Sequence, residues 1–106
     1  MAEVVWTATA LTQLREIVDY VSQQSPSNAE KVRSRLVQAP RILEKFPQIG
    51  HRILEFDEPD HVRELMVKPF RMIYVIRENR CYVAHVVRAS RNLKEIVSLE
   101  ELEMLE

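Results

Sequence analysis

The sequence predicts an α+β fold in which an N-terminal helical hairpin packs on a four- to five-stranded, mainly antiparallel sheet. Three observations predict it. In the first half of the chain, apolar residues recur every three or four positions, which is the spacing of an amphipathic helix. After Gly50, the only glycine, the period becomes twofold and β-branched residues become frequent, as in strands. Near the end of the chain, a thin apolar stripe predicts a short C-terminal helix.

The first helix is predicted from Leu11 to Val21, where the apolar residues share one face. Residues 25–28 interrupt the pattern. The second helix is predicted to begin there, because Ser27 and Glu30 have the spacing of a capping box. Since the connection is short, the two helices should pair antiparallel.

The end of the helical part is predicted from a proline and a glycine. Pro40 should kink the second helix or end it early, because proline lacks the backbone N–H and clashes with the preceding turn. The segment Phe46–Gly50 then closes the helical part. Gly50 is expected to supply a left-handed or otherwise open backbone conformation that other residues resist.

The strands are predicted from runs of alternating and β-branched residues separated by polar intervals. Residues 58–60 and 77–80 are the intervals, and the second has the size of a hairpin loop, so the strands on either side of it should pair antiparallel. The predicted strands are Ile53 to Phe56, His61 to Lys68, Phe70 to Ile76 and Cys81 to Val87, with Val4 to Trp6 as a further edge or neighbouring strand.

The C-terminal helix is predicted by a second capping box, Ser98 with Glu101, and by a hydrophobic staple between Val97 and Leu102. So short a helix is barely stable alone in water, and it must therefore dock on its own domain or on a partner. Three aromatic residues are assigned to the core at this stage: Trp6, Phe46 and Phe70.

Length and composition indicate one folded domain spanning residues 1–106, because 106 residues with 46% hydrophobic content build one modest core. The only cysteine, Cys81, excludes an internal disulfide and paired-cysteine metal sites. There is no signal-peptide pattern and no apolar run long enough to span a bilayer. We therefore expect a cytoplasmic protein without a membrane partner.

The charge balance argues against a strongly basic, nucleic-acid-binding surface. Lys and Arg total 15 and Asp and Glu total 16, which gives a formal net charge of −1. Carboxylates crowd the C-terminus, whereas residues 63–94 contain six arginines and two lysines, so the existence of a local basic face stays open. A single glycine excludes a glycine-rich phosphate loop, and the three histidines lack metal-ligand spacing. No metal or cofactor is predicted.

Three stretches carry a resemblance to a known family: Phe46–Arg52 (FPQIGHR), Val62–Tyr74 (VRELMVKPFRMIY) and His85–Leu93 (HVVRASRNL). In this order, after a helical hairpin, the chain resembles the ParE-like branch of the RelE/ParE toxins over nearly its whole length. The resemblance implies a toxin that is neutralised by a cognate antitoxin, whose extended and helical tail wraps it. It also implies one of two targets, because ParE-type members poison DNA gyrase and RelE-type members cleave messenger RNA in the ribosome.

A nuclease of the RelE type would need a general base, a general acid and cations near the phosphate. The resemblance places Arg71 and Tyr74 where RelE-like proteins also carry arginine and tyrosine, but members that do not cleave RNA share these residues. Many relatives carry histidine where Arg88 stands, and arginine cannot exchange its proton at physiological pH. Whether the chain is an enzyme therefore stays open, with non-enzymatic action favoured. The candidate catalytic residues are Arg63, Arg71, Tyr74, His85 and Arg88.

The leading hypothesis is a ParE-like inhibitor that binds gyrase and is held inactive by its antitoxin. Arg71, Arg88 and Arg91 are the predicted target-binding residues. An apolar patch beside the first helix should receive the antitoxin or be covered in a homodimer. The alternatives are a ribosome-associated mRNA endoribonuclease and a non-toxic protein-interaction module. The predicted antitoxin-binding residues are Leu11, Leu14, Val18 and Leu36.

Overall fold

The computed structural model describes residues 1–53, 55–56 and 60–105. Strand β1 precedes two long helices, and four further strands and a short helix follow. The elements are β1 (Glu3–Trp6), α1 (Ala8–Ser22), α2 (Pro26–Gln38), a 3₁₀ helix (Ala39–Glu44), β2 (His51–Arg52), β3 (Val62–Val67), β4 (Phe70–Arg77), β5 (Arg80–Arg88), a 3₁₀ turn (Leu93–Glu95) and α3 (Leu99–Glu103).

The strands form one five-stranded sheet in the order β1-β5-β4-β3-β2. Neighbouring strands from β2 to β5 are antiparallel, and β1 pairs with β5 in parallel. The α+β class, the mainly antiparallel sheet and the N-terminal strand predicted from Val4 to Trp6 are confirmed.

The helix boundaries follow from local hydrogen bonds. At the start of α1, the Thr7 side chain accepts from the Ala10 N–H. The capping box predicted at Ser27 and Glu30 is wrong, because the cap of α2 is Ser25, whose side chain accepts from the Asn28 N–H. Pro26 then occupies the first turn, where its missing N–H costs nothing.

Pro40 has the predicted effect on the second helix. Helix α2 ends at Gln38, and the chain continues to Glu44 with the tighter 3₁₀ geometry. Pro40 lies at the start of that segment, where it removes no α-helical hydrogen bond. The early end predicted for the helix is therefore confirmed.

Two predicted features of the sheet need correction. The strand predicted from Ile53 to Phe56 is wrong, since β2 contains only His51–Arg52 and the Phe56 N–H bonds back to the Ile53 carbonyl as in a turn. The four-residue loop at 77–80 is also wrong, because the strands extend to leave a turn of Glu78 and Asn79, with Glu78 at a φ of 53°. Most of the loop predicted at 58–60 lies outside the described residues.

The two faces of the sheet carry separate apolar layers. Helices α1 and α2 cover one face, and the segment that ends in α3 covers the other. Ser98 caps α3 by accepting from the Glu101 N–H, so the predicted C-terminal helix is confirmed. The helix-side layer contains Ala10, Leu14, Leu36, Phe70, Met72, Val83 and Val86, and the opposite layer contains Ile53, Val62, Ile73, Val75, Ala84, Leu93, Val97 and Leu102.

The three aromatic residues assigned to the core have different outcomes. Phe70 is buried and Trp6 is half-buried against the helix-side layer. Phe46 is 57% exposed, so its assignment to the core is wrong. It lies in the loop between the 3₁₀ helix and β2, outside both apolar layers.

Gly50 is required by a close approach of neighbouring atoms rather than by a left-handed backbone. Its φ is not positive. A Cβ atom at this position would lie 2.6 Å from the Glu64 carbonyl oxygen and 2.6 Å from the ring and hydroxyl of Tyr74. Only a residue without a side chain fits against the Glu64 carbonyl and the Tyr74 ring at this point.

Replacing Gly50 with alanine should therefore destabilise the protein. We expect Gly50→Ala to lower the free energy of unfolding by about 1–3 kcal/mol, because Tyr74 or the β3 backbone must move to admit the methyl group. Urea denaturation measures the change. Gln48→Ala, at an exposed side chain of the same loop, is the control and should change stability by less than about 0.5 kcal/mol. Equal stability of Gly50→Ala and the wild-type chain would contradict the prediction.

Candidate functional site

Arg71 is the centre of a buried network of ion pairs. Its side chain on β4 is 6% exposed. The Nε atom donates to Glu64 Oε1 at 2.7 Å, and the two Nη atoms donate to the two carboxylate oxygens of Glu55 at 2.8 and 2.9 Å. Nη1 also reaches the Arg91 carbonyl at 3.3 Å, and Glu55 accepts from the Leu93 N–H. Arg71 therefore ties three separate segments of the chain together.

The bidentate pair fixes the protonation states of its members. The hydrogen bonds from Arg71 lower the pKa of Glu55 to about 2, with the Leu93 N–H adding to this and burial opposing it. The same contact with Glu55 raises the pKa of Arg71, again against the effect of burial. Both groups stay charged at neutral pH. The guanidinium of Arg71 is thus occupied by the protein's own carboxylates, and its predicted role as a target-binding residue has no support in its surroundings.

Tyr74 and Arg63 hold the loop that precedes β2. Tyr74 is 1% exposed, and its hydroxyl donates to the Pro47 carbonyl at 2.7 Å and accepts from the Gly50 N–H at 2.9 Å. Burial raises the pKa of this hydroxyl. Arg63 Nη1 donates to the Gly50 carbonyl at 2.9 Å and to the Gln48 carbonyl at 3.3 Å. Two of the candidate catalytic residues are therefore loop anchors.

His85 is held as a neutral ring between β5 and α1. Gln13 Oε1 accepts from the Val86 N–H at 2.8 Å, so the Gln13 amide nitrogen faces His85 and donates to its Nδ1 at 3.0 Å. Nδ1 must then be unprotonated, and the ring proton lies on Nε2. Burial lowers the pKa of His85, and the Glu101 carboxylate opposes this effect in part.

A cluster of basic side chains is exposed where β4 begins and β5 ends. We call Arg35, Lys68, Arg88 and Arg91 the basic end. The Arg88 guanidinium lies 5.6 Å from the centre of the Phe70 ring, as in a cation–π contact. Arg35 donates to the Lys68 carbonyl, which joins α2 to this region. Within the described part of the chain, none of the four is ion-paired to a carboxylate.

An apolar groove runs along the outer face of the helical hairpin. Leu11, Leu14 and Val18 line it, with Arg15 and Arg33 at its edges. We call it the hairpin groove. It contains three of the four residues predicted to bind the antitoxin, but Leu14 is buried in the helix-side layer, so only Leu11 and Val18 offer surface to a partner. The fourth, Leu36, needs correction: it is 1% exposed and packs against the sheet, because α2 turns that face inward.

The five candidate catalytic residues do not form one exposed site. Arg88 alone is exposed, whereas Arg63 and Tyr74 hold a loop, Arg71 binds two carboxylates and His85 bonds to α1. Their partners Gln13, Glu55 and Glu64 were not predicted from the sequence. The sequence did carry a signal for them. Gln13 lies beside the apolar stripe of the first helix, and Glu55 and Glu64 are polar residues within segments predicted to be strands.

Comparison with known proteins decides the family. Residues 4–93 match the family model described as the ParE toxin of the type II toxin-antitoxin system parDE. The chain belongs to the ParE toxin family. It is thus the toxin of a type II toxin–antitoxin system within the RelE/ParE superfamily, as the three stretches indicated, and it has an antitoxin as partner. In the described part of this ParE-family toxin, no helix is both long enough and apolar enough to cross a bilayer.

Two known proteins are similar to this ParE-family toxin over most of its length. The protein named Toxin RelE2, from Caulobacter vibrioides, is 34% identical over 92 residues, which are 86% of this chain and 99% of the relative. A structure titled as the chromosomal ParDE TA system from P. aeruginosa has a TM-score of 0.69 and 24% identity. That match covers 83% of this chain and 96% of the other, and it shows the shared fold.

The ion-pair network should dominate the response of stability to mutation. Arg71→Ala should lower the free energy of unfolding by about 3–5 kcal/mol, because it leaves two carboxylates near one another without their cation. The control is Arg80→Ala, which removes an exposed pair with Glu3 and should leave stability close to that of the wild-type chain. Urea denaturation at neutral pH measures both. Similar losses in the two variants would contradict the network's role.

The neutral His85 should make stability depend on pH. Because its pKa in the folded chain lies below the ordinary value of 6.5, the unfolded chain binds more protons as the pH falls below about 6.5. Thermal stability should therefore fall between pH 7.5 and 5.5. His85→Asn keeps an acceptor for Gln13 but does not titrate, so its stability should change less over this range. Parallel pH profiles for the two proteins would refute the assignment.

Proposed function

We propose that this toxin acts by binding a protein target, with DNA gyrase as the leading candidate, and not by catalysis. The proposal rests on one observation: most of the candidate catalytic side chains are already engaged in hydrogen bonds within the chain. Arg63, Arg71, Tyr74 and His85 each bond to partners within the chain, and three of them are buried. Arg88 alone is exposed, and arginine cannot exchange protons at physiological pH.

Cleavage of RNA by its own 2′-hydroxyl needs a group that takes a proton and a group that returns one. The Tyr74 hydroxyl is almost wholly buried, and both its donor and its acceptor capacity are used. Burial raises the pKa of Tyr74, so even less of the basic phenolate form is present at neutral pH. His85 uses Nδ1 to accept from Gln13, so this nitrogen is not free to take a proton. These surroundings favour a non-catalytic toxin.

The distribution of charge favours a protein target over the RNA-lined site of the ribosome. The net charge is −1, so there is no long-range attraction toward a polyanion. The basic end supplies a local positive surface that suits an acidic patch on a protein. Within it, we assign target contact to Arg88 and Arg91. Arg71 acts indirectly, because it holds the Arg91 carbonyl in place.

The antitoxin is assigned to the hairpin groove. An amphipathic helix could bury its apolar side on Leu11 and Val18, above the buried Leu14, and set acidic residues against Arg15 and Arg33. An extended segment could then continue onto the edge of the sheet. Strand β2 pairs only with residues 63 and 64 of β3, so residues 65–67 have no strand neighbour on that side within the described chain.

One observation favours a RelE-like endoribonuclease as the second candidate. The 34% identical relative from C. vibrioides carries the name Toxin RelE2. In that case mRNA on ribosomes would be the target, and the exposed Arg88 would contact a phosphate. A non-toxic protein-interaction module of the same fold is the remaining alternative.

The proposal predicts that the purified toxin impairs gyrase. Plasmid supercoiling by gyrase should be inhibited, or gyrase-linked DNA breaks should accumulate, and mRNA on translating ribosomes should stay intact. Because the basic end is assigned to target contact, Arg88→Glu with Arg91→Glu should weaken the effect at least about tenfold.

The control is Arg80→Glu, a charge reversal at the opposite end of β5 from Arg88. It should retain activity. Site-specific cuts in mRNA without any effect on gyrase would replace the proposal with the endoribonuclease. Normal growth of cells that express the chain without antitoxin would favour the non-toxic module.

A further inference from the structure

The loop between α2 and β2 exposes three large apolar side chains that the proposed function leaves unused. Ile42, Phe46 and Ile49 are 44%, 57% and 48% exposed. We call these three residues the apolar knob. They lie within eight consecutive residues and project from the surface instead of joining either apolar layer. Apolar groups concentrated at one exposed place indicate an interaction site.

The backbone that carries the apolar knob is held by hydrogen bonds at nearly every residue. The Phe46 N–H bonds to the Ile42 carbonyl at 3.0 Å, and the Ile49 N–H bonds to the Phe46 carbonyl at 3.1 Å. Beyond them, Tyr74 and Arg63 hold the backbone from residue 47 to residue 50. A partner would therefore meet side chains whose positions are already set, which lowers the entropy lost on binding.

The charges beside the apolar knob are mainly positive. Residues 41–52 contain Arg41, Lys45 and Arg52 against a single carboxylate, Glu44, although the whole chain has a net charge of −1. Arg41 and Lys45 are both exposed, and Arg52 shares its charge with Asp60. An acidic surface around an apolar pocket would complement this arrangement.

We propose that the apolar knob anchors the toxin to its folded, acid-surfaced protein target by inserting Phe46 and Ile49 into an apolar pocket. The inference rests on the proposed function, because it presumes a protein target. Rigid, projecting aromatic and aliphatic groups are effective when the partner offers a preformed concavity. A folded target supplies one, whereas a flexible antitoxin tail instead needs a groove such as the hairpin groove to lie in.

The test compares growth arrest, antitoxin affinity and thermal stability in a set of variants. Phe46→Ala and Ile49→Ala remove the two anchors separately, and Lys45→Glu with Arg41→Glu reverses the charge beside them. Met104→Ala is the control, since Met104 is exposed elsewhere on the chain. Each anchor variant should need about tenfold more toxin to arrest growth. Antitoxin affinity and the melting temperature should stay close to wild type.

The possible results distinguish a failure of the apolar knob's role from a failure of the proposed function. If Phe46→Ala and Ile49→Ala arrest growth at the same toxin concentration as the wild-type chain, the role of the apolar knob is overturned. This holds whether or not the toxin inhibits gyrase. Loss of antitoxin affinity with full toxicity would reassign the surface to the antitoxin. Loss of arrest in the variants, with no effect of wild-type toxin on purified gyrase, would support the knob and remove gyrase as its target. A wild-type chain that arrests nothing would overturn both.

Discussion

Strand β4 carries two polar side chains, those of Arg71 and Tyr74, into the interior of the protein. Their hydrogen-bond partners come from the neighbouring segments of the chain and fix the positions of those segments. A buried guanidinium or hydroxyl without partners would cost several kcal/mol. Arg71 meets this need with Glu55 and Glu64, which draws the turn after β5 against the sheet. Tyr74 meets it with the backbone of the loop before β2. The central strand thus positions both the loop before β2 and the turn after β5.

This arrangement assigns structural roles to side chains that the resemblance had made candidates for the functional site. The most family-like stretches of the chain contain Arg71 and Tyr74, and these residues hold the fold together. The surfaces proposed to meet a partner are the basic end, the hairpin groove and the apolar knob. Under that proposal, activity depends on which side chains remain exposed and not on the fold alone.

The fold could be predicted from the sequence largely because its signals are local. Helical spacing, Pro40 and the Ser98 cap each act within a few residues, and the structure follows them. The candidate site could not be predicted in the same way. The partners of Arg71 lie 7, 16 and 20 residues away, and no local pattern says which buried polar groups will meet. Helical spacing likewise placed Leu36 on an apolar face without showing that the face meets the sheet.

The parallel pairing of the first strand with the last has a consequence for synthesis. Residues 3–6 find their partners only at residues 80–83, so the sheet stays incomplete until nearly the whole chain has left the ribosome. The contacts between α1 and α2 are local and can form much earlier. A nascent chain can therefore form its helical hairpin before its sheet is complete, which leaves the apolar face of the hairpin uncovered during synthesis.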